Sequence, residues 1–387
     1  MSVNKYVEDA LKGEHGEAER IAAKVLMAIS KASKSEGFIK ITSAHISGVN
    51  YYNIGDAGLE LLNDISKVAR FAVPTSINPC GAPVLENDAT FSKELVEKQR
   101  VIYNAFMKMG AKNSCTCVPY DGLNVPKKGE HVSWAESSAV VYGNSVMGIY
   151  TNKEGGISAL AAAILGFTPN YGMHLDENRK PQKVIRLSFE IKGAVQFGAL
   201  GYFIGKLTKE IVGIKGIRTA NKEELKALSA SVGTYGPQPM FVIEPETKDA
   251  EVITLEENQL KEALSKINDD VQPQAIVLGC PLLSVEEMKK LAYLVQGKHF
   301  NLPAYVFVDR ISFSKLADEE KEALADSGLK IYFDICPSLS YLPETFGYTS
   351  VVSNSAKHYF YTKHQSKINV RLMDVEEIVD KYVKMNV

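Results

Sequence analysis

"PQAIVLGCP" (residues 273–281) and "SVEEMKKLAYLVQG" (284–297) decide how the rest of the chain is read. The first is a short, continuous apolar run between prolines, the pattern of a buried strand. The second opens with Ser284 and Glu287 at capping-box spacing, which predicts a helix start. The alternation continues. "PAYVFVDR" (303–310) reads as a strand, "KLADEEKEALADSG" (315–328) as a helix, "KIYFDICP" (330–337) and "YTSVVSNSAKHY" (348–359) as further strands. Strands alternating with helices imply parallel βαβ units, hence an α/β fold. All strands of such a sheet point one way, and ligands bind outside their carboxyl ends. On this reading Cys280 is the last residue of one strand and Cys336 the last of another, while Asn354, Ser355 and Lys357 follow the end of a third. Both cysteines are therefore expected in one crevice.

The first half is less regular. An amphipathic helix is expected over 14–34, a strand running into a loop over 38–48, and a helix over 56–66. A strand ending in a Pro/Gly turn is expected over 70–81, and a helix over 91–111 that stops at Gly110. "NSCTCVPYDG" (113–122) follows, with Cys115 and Cys117 in irregular backbone. "HVSWAESSAVVYGNSVMGIYTNKEGG" (131–156) mixes small polar and apolar residues and holds Glu136, Asn144, Asn152 and Glu154. "GGISALAAAILGF" (155–167) predicts a helix apolar nearly all round, hence buried. Its two glycines suit either an anion at the helix start or a plain turn. "GALGYFIGKL" (198–207) lacks the glycine spacing and the Ser/Thr of a phosphate loop.

Bulk properties exclude several classes. The 387 residues are 45% hydrophobic and 23% charged, with 44 Lys and Arg against 46 Asp and Glu. No basic stripe appears, so nucleic acid is excluded as a partner. Apolar runs fall short of the ~20 residues of a membrane span. The charged start "MSVNKYVEDALKGEHGEAER" has no apolar signal core, so a cytoplasmic location is expected. The five cysteines are Cys80, Cys115, Cys117, Cys280 and Cys336. In an intracellular chain these point to metal binding, catalysis or burial rather than disulfides. Three thiolates could hold a catalytic zinc with an open position, or an iron–sulfur cluster with one iron lacking a protein ligand. Their dispersal, from the Cys115/Cys117 pair to Cys336, suits a cluster between domains, and both readings stand.

"SAHISGVNYYNIGDAGLELL" (43–62), "CVPYDG" (117–122), "GEHVSWAESSAVVYGNSVMGIYTNKEGG" (129–156), "YGMHLDENRKP" (171–181), "LGCP" (278–281) and "VVSNSAKHY" (351–359) together resemble aconitase X, the divergent branch of the aconitase superfamily. The resemblance runs from about residue 10 to near the C-terminus, and is strongest to the archaeal two-subunit type. It implies an aconitase-like fold of several α/β domains, with parallel or mixed sheets around a central cluster-binding cleft. It implies a hydro-lyase of the mevalonate pathway of isoprenoid biosynthesis, dehydrating (R)-5-phosphomevalonate to trans-anhydromevalonate 5-phosphate. It also implies an iron–sulfur cluster of the 4Fe–4S type on Cys117, Cys280 and Cys336, whose unligated iron serves as Lewis acid. Substrate contacts implied by the resemblance are Gly48, Val49 and Asn50, Asn78 and Pro79, Glu136 and Ser137, and Lys357, which could neutralise a carboxylate or phosphate. Cys80 and Cys115 fall outside the pattern. Lys153 stands where Arg is expected, exchanging a bidentate fork for a point charge.

The chain stops at "VDKYVKMNV" (379–387), so a separate small subunit is expected to carry the swivelling domain and the general base. On this division residues 1–205 form an α/β region with the substrate loops and first cluster ligand, and 206–387 one with the other two cysteines. The same residues leave open a dehydratase of hydroxyproline or another small hydroxy acid, a zinc hydrolase, and a non-enzymatic iron–sulfur or zinc scaffold. His45 and His174 lie in polar loops and carry no assigned role.

Overall fold

Strand Ala275–Leu283 is buried at all nine positions, as a continuous apolar run in a sheet covered on both faces must be. It is the middle strand of a five-stranded, wholly parallel sheet. The spatial order is Leu329–Phe333, Ala304–Val308, Ala275–Leu283, Ser350–Ser353, Asn369–Leu372. The βαβ reading of this region is therefore correct. Helix Val285–Val295 begins at the expected Ser284/Glu287 capping box, and its Leu291 and Val295 join Ile276, Leu278, Val306, Val308 and Val352 in the core.

The computed structural model describes residues 3–246 and 250–385, in two compact units, 1–180 and 181–387. The boundary expected between residues 205 and 206 falls inside helix Gly193–Leu207. That helix follows the first strand of a second parallel sheet, ordered Phe241–Ile243, Val212–Lys215, Lys183–Leu187, Glu251–Leu255. These strands are three to five residues long and several carry charges, so they give little periodic signal.

The N-terminal unit holds a small parallel sheet with Ala44–Ile46 in the centre, flanked by Thr75–Ile77 and Ser133–Trp134. The expected helix over 14–34 is Glu17–Ser33, and a further helix, Val3–Lys12, precedes it. The expected strand over 38–48 is two, Phe38–Lys40 and Ala44–Ile46, and the 70–81 strand shortens to Thr75–Ile77. Helix Lys93–Met109 is capped by Ser92, which accepts from the Leu95 amide, and ends at left-handed Gly110. Helix Gly156–Leu165 is buried along nearly its whole length. Among the described residues no helix is long and apolar enough to cross a membrane.

Candidate functional site

Three loops leave the carboxyl ends of the small N-terminal sheet side by side. Gly48-Val49-Asn50 follows Ala44–Ile46, Asn78-Pro79 follows Thr75–Ile77, and Glu136-Ser137 follows Ser133–Trp134. A bridge pairs Cys115 with Ile77, and the Thr116 amide donates to the Ile77 carbonyl, which brings Cys117 to the same edge. On the opposite flank Tyr150 pairs with His131, and the Glu154 amide donates to the Trp134 carbonyl, bringing Lys153 there too. The expected substrate residues of the N-terminal unit therefore gather on one edge, as parallel sheets require of a ligand site.

Their side chains are engaged by the protein itself. Glu136 caps helix Ser137–Tyr142: Oε1 accepts from the Ser138 amide (3.3 Å) and hydroxyl (2.9 Å). Its Oε2 accepts from Asn78 Nδ2 at 2.7 Å. Asn50 caps helix Tyr51–Ile65 through the Tyr52 amide, and packs so closely on Gly81 that a Cβ there would lie 2.4 Å from its Oδ1. Gln99, fully buried on the long helix, binds three backbone groups of these loops. It donates to the Val49 carbonyl (2.9 Å) and accepts from the amides of Tyr51 (3.1 Å) and Gly81 (3.0 Å). Gly48, Asn78 and Ser137 remain partly exposed along the edge. A largely apolar cavity of about 470 Å³ opens beside Gly48, lined by Ile46, Ile54, Leu61, Phe106 and Ile157.

Gly156 resolves the question of the paired glycines. A Cβ there would lie 2.5 Å from the Ser47 carbonyl oxygen, so the helix start presses on the loop that holds Gly48. The Gly155 amide is taken by Ser158 Oγ, which in turn donates to Glu154. The glycines serve close packing and a cap.

In the C-terminal unit the cysteine positions differ from expectation. Cys280 lies inside its strand, where the pairing to Ala304–Val308 shifts between Leu278 and Leu283. Gly279, with φ +107°, begins the departure, since a Cβ would lie 2.3 Å from the Phe307 carbonyl. Cys336 lies three residues beyond the strand that ends at Phe333. The two segments are joined. Cys280 Sγ is 3.4 Å from Ser338 Oγ, which lies 3.1 Å from His358 Nδ1. Burial pushes His358 down to about 4, keeping it neutral. Asn354 and Ser355 line a small cavity with Cys280 and Pro281. Lys357, also buried, sits in the first turn of helix Ala356–Tyr361.

Thiol chemistry tests whether these residues suit a metal group. Cys336 is pushed up to about 12, first by burial and then by neighbouring Cys280, with Lys357 acting the other way. A thiol that resists ionisation becomes a thiolate when a cation binds it, and Cys280 is a second buried thiol beside it. Cys117 is a third, buried thiol on the N-terminal sheet edge. The donor set fits an iron–sulfur group in its chemistry. Among the described residues no three His, Cys, Asp or Glu side chains are grouped to hold a metal ion. Sequence reasoning missed Gln99, Ser338, and the bonding of His45, which is linked to both Ser76 and Asn78. Only "SAHISG" carried a signal for the last, a histidine on a strand directly before a loop already marked.

Comparison with known proteins follows the same layout. Profiles described as the aconitase X first, second and third domains match residues 1–177, 181–269 and 273–384. The chain is 37% identical to the phosphomevalonate dehydratase large subunit of Thermococcus kodakarensis, over 98% of this chain and 99% of that one. It is 37% identical to the protein of the same name from Methanosarcina mazei, over 93% and 92%. The crystal structure of Thermococcus kodakaraensis aconitase X in its holo-form superposes with a TM-score of 0.89, at 36% identity, covering 99% of this chain and 100% of that one.

Proposed function

The chain belongs to the aconitase X family, and from that premise we propose that it is the large subunit of a hydro-lyase that dehydrates (R)-5-phosphomevalonate to trans-anhydromevalonate 5-phosphate. The observation that carries this reading is the gathering of Gly48–Asn50, Asn78–Pro79, Glu136–Ser137 and Cys117 on one sheet edge. Relatives bearing that activity in their names align over nearly their whole length.

Cys117, Cys280 and Cys336 would hold an iron–sulfur cluster, which supplies a Lewis acid for the departing hydroxide when bound. The chain's own residues do the rest of the work assigned to this subunit. The loop of Gly48 and Val49, fixed at the Val49 carbonyl by Gln99, presents its backbone to the substrate. Glu136 keeps a carboxylate on the edge, where it accepts a hydrogen bond from substrate or orients the leaving water. Lys357 supplies positive charge for a carboxylate or phosphate. Glu136 already accepts three hydrogen bonds from Asn78 and Ser138, which suits an orienting group rather than a proton acceptor. The proton is therefore assigned to a base on a separate small subunit, and the pair to the cytoplasm.

The test is turnover. The chain, purified without oxygen and mixed with a small subunit, should carry iron and sulfide and convert (R)-5-phosphomevalonate to an unsaturated phosphorylated acid. Cis-3-hydroxy-L-proline offered in parallel should be left unchanged. Absence of turnover with iron present, or one zinc per chain in place of iron, ends this reading.

A further inference from the structure

Five side chains of the N-terminal unit form a single hydrogen-bonded line ending at Glu136, and its middle member, His45, has no part in the roles given above. Asn124 donates from Nδ2 to the Ala44 carbonyl (2.9 Å) and to Ser76 Oγ (3.1 Å). Ser76 Oγ lies 2.8 Å from His45 Nδ1, and His45 Nε2 lies 2.7 Å from Asn78 Oδ1. Asn78 Nδ2 then meets Glu136 Oε2 at 2.7 Å.

The direction of every bond follows from the end of the line. A carboxylate can only accept, so Asn78 must turn its amide nitrogen to Glu136 and its carbonyl to His45. That carbonyl can only accept, so the His45 proton must sit on Nε2. Nδ1 is then an acceptor, and the Ser76 hydroxyl donates into it while its oxygen meets the Asn124 amide. One arrangement satisfies the whole line, and a flip of Asn78 or a shift of the imidazole proton sets acceptor against acceptor. A buried mismatch of that kind is costly. His45 is fully buried, its ring edge-on to Trp134 at 6.3 Å, and burial pushes it down to about 4. It is therefore neutral at neutral pH, and a neutral ring in this setting keeps one tautomer.

We propose that His45 is a positioning residue: its Nε2–H orients the Asn78 amide, which in turn holds Glu136 as an ionised, acceptor-only carboxylate at the substrate edge. This rests on the reading of Asn78 and Glu136 as substrate contacts. His45 touches no substrate and acts through Asn78. Outer partners of this kind are worth about 10- to 100-fold in activity when removed.

Two measurements test it. In protein labelled with ¹⁵N-histidine, long-range proton–nitrogen correlation reads the tautomer of each of the seven histidines, and His45 is assigned by its loss in His45→Gln. A ring protonated on Nε2 and bare on Nδ1 is expected, unchanged through neutral pH. A ring protonated on Nδ1, or one averaging between tautomers, overturns the proposal. Kinetics give the second arm. His45→Phe keeps bulk without a donor and should lose about 100-fold in kcat/KM, whereas His45→Gln, with an amide N–H at the same reach, should stay within about tenfold of wild type. Equal losses in the two variants overturn the proposal. If His45→Phe does not fold, the tautomer and the Gln variant decide. If wild type fails to turn over (R)-5-phosphomevalonate, the dehydratase reading falls, and the tautomer alone decides the orientation of Asn78.

Discussion

Cys115 and Cys117 are separated by one residue and differ in their surroundings. Cys115 is fully buried with its Sγ 3.6 Å from Cys80 Sγ, in the interior behind the sheet edge. Cys117 comes two residues later, where the segment has left the ladder at Thr116. The thiol of Cys115 thus packs against Cys80, while Cys117, also buried, lies past the bridge to Ile77 and is the one proposed as a cluster ligand. Replacing Cys117, Cys280 or Cys336 by Ala should remove iron from protein purified without oxygen. Cys115→Ala should keep iron and cost about 1 kcal/mol in stability, the scale of a small buried group lost. Iron analysis with the visible spectrum decides this. A Cys115→Ala protein without iron, or a Cys336→Ala protein with a full complement, would contradict the ligand set. The same contrast shows what one residue in a sequence can reveal. Cys-x-Cys marked the place, but which thiol faces inward depends on the bridge to Ile77, a contact no local pattern encodes.

At the level of elements, two residues hold the loops at the carboxyl edge of the N-terminal sheet. Gln99 reaches from the long helix to three backbone groups in two loops. Gln99→Leu keeps the bulk and leaves buried polar groups without partners, so a loss of about 3 kcal/mol is expected, read as a lower urea midpoint. An unchanged midpoint would mean that water replaces the amide. Gly156 is the second. An added methyl would meet the Ser47 carbonyl, and backbone yields less readily than a side chain. Gly156→Ala should cost about 2 kcal/mol and raise KM, because relief must come from moving Ser47 and Gly48. A variant with wild-type stability and KM would show that the helix can retreat. The sequence marked Gly156 by its neighbours in "NKEGG", but offered anion binding and a turn as equals. It gave no hint of Gln99, whose partners lie 18 to 50 residues away along the chain.

For the whole molecule, legibility followed burial pattern. The five-stranded sheet could be read because Ala275–Leu283 is apolar throughout and its helices carry caps. The four-stranded sheet of 181–269 could not, since Glu251–Leu255 is largely exposed and Phe241–Ile243 spans three residues. Acid unfolding tests the molecule as a whole. Burial pushes His45 and His358 down to about 4 and His174 down to about 3. Unfolded histidine titrates near ~6.5, so below that pH the unfolded chain binds protons that the folded chain refuses, and stability falls as pH drops towards 4. Asp374 acts in the opposite sense. Burial pushes its carboxyl up to about 6, so the folded chain holds a proton there that the unfolded chain releases. Glu154 and Glu223, also raised by burial, act with Asp374. Around pH 5 the folded chain refuses a proton at each of the three histidines and holds an extra one at Asp374, so the unfolded chain takes up protons on balance, an uptake that Glu154 and Glu223 reduce. The urea midpoint should therefore fall between about pH 7 and pH 5, and fall less in His45→Gln, which has no imidazole to protonate at that site. A midpoint that holds or rises towards pH 5 would mean that the buried histidines are charged in the folded protein, and the neutral His45 between Ser76 and Asn78 would have to be redrawn.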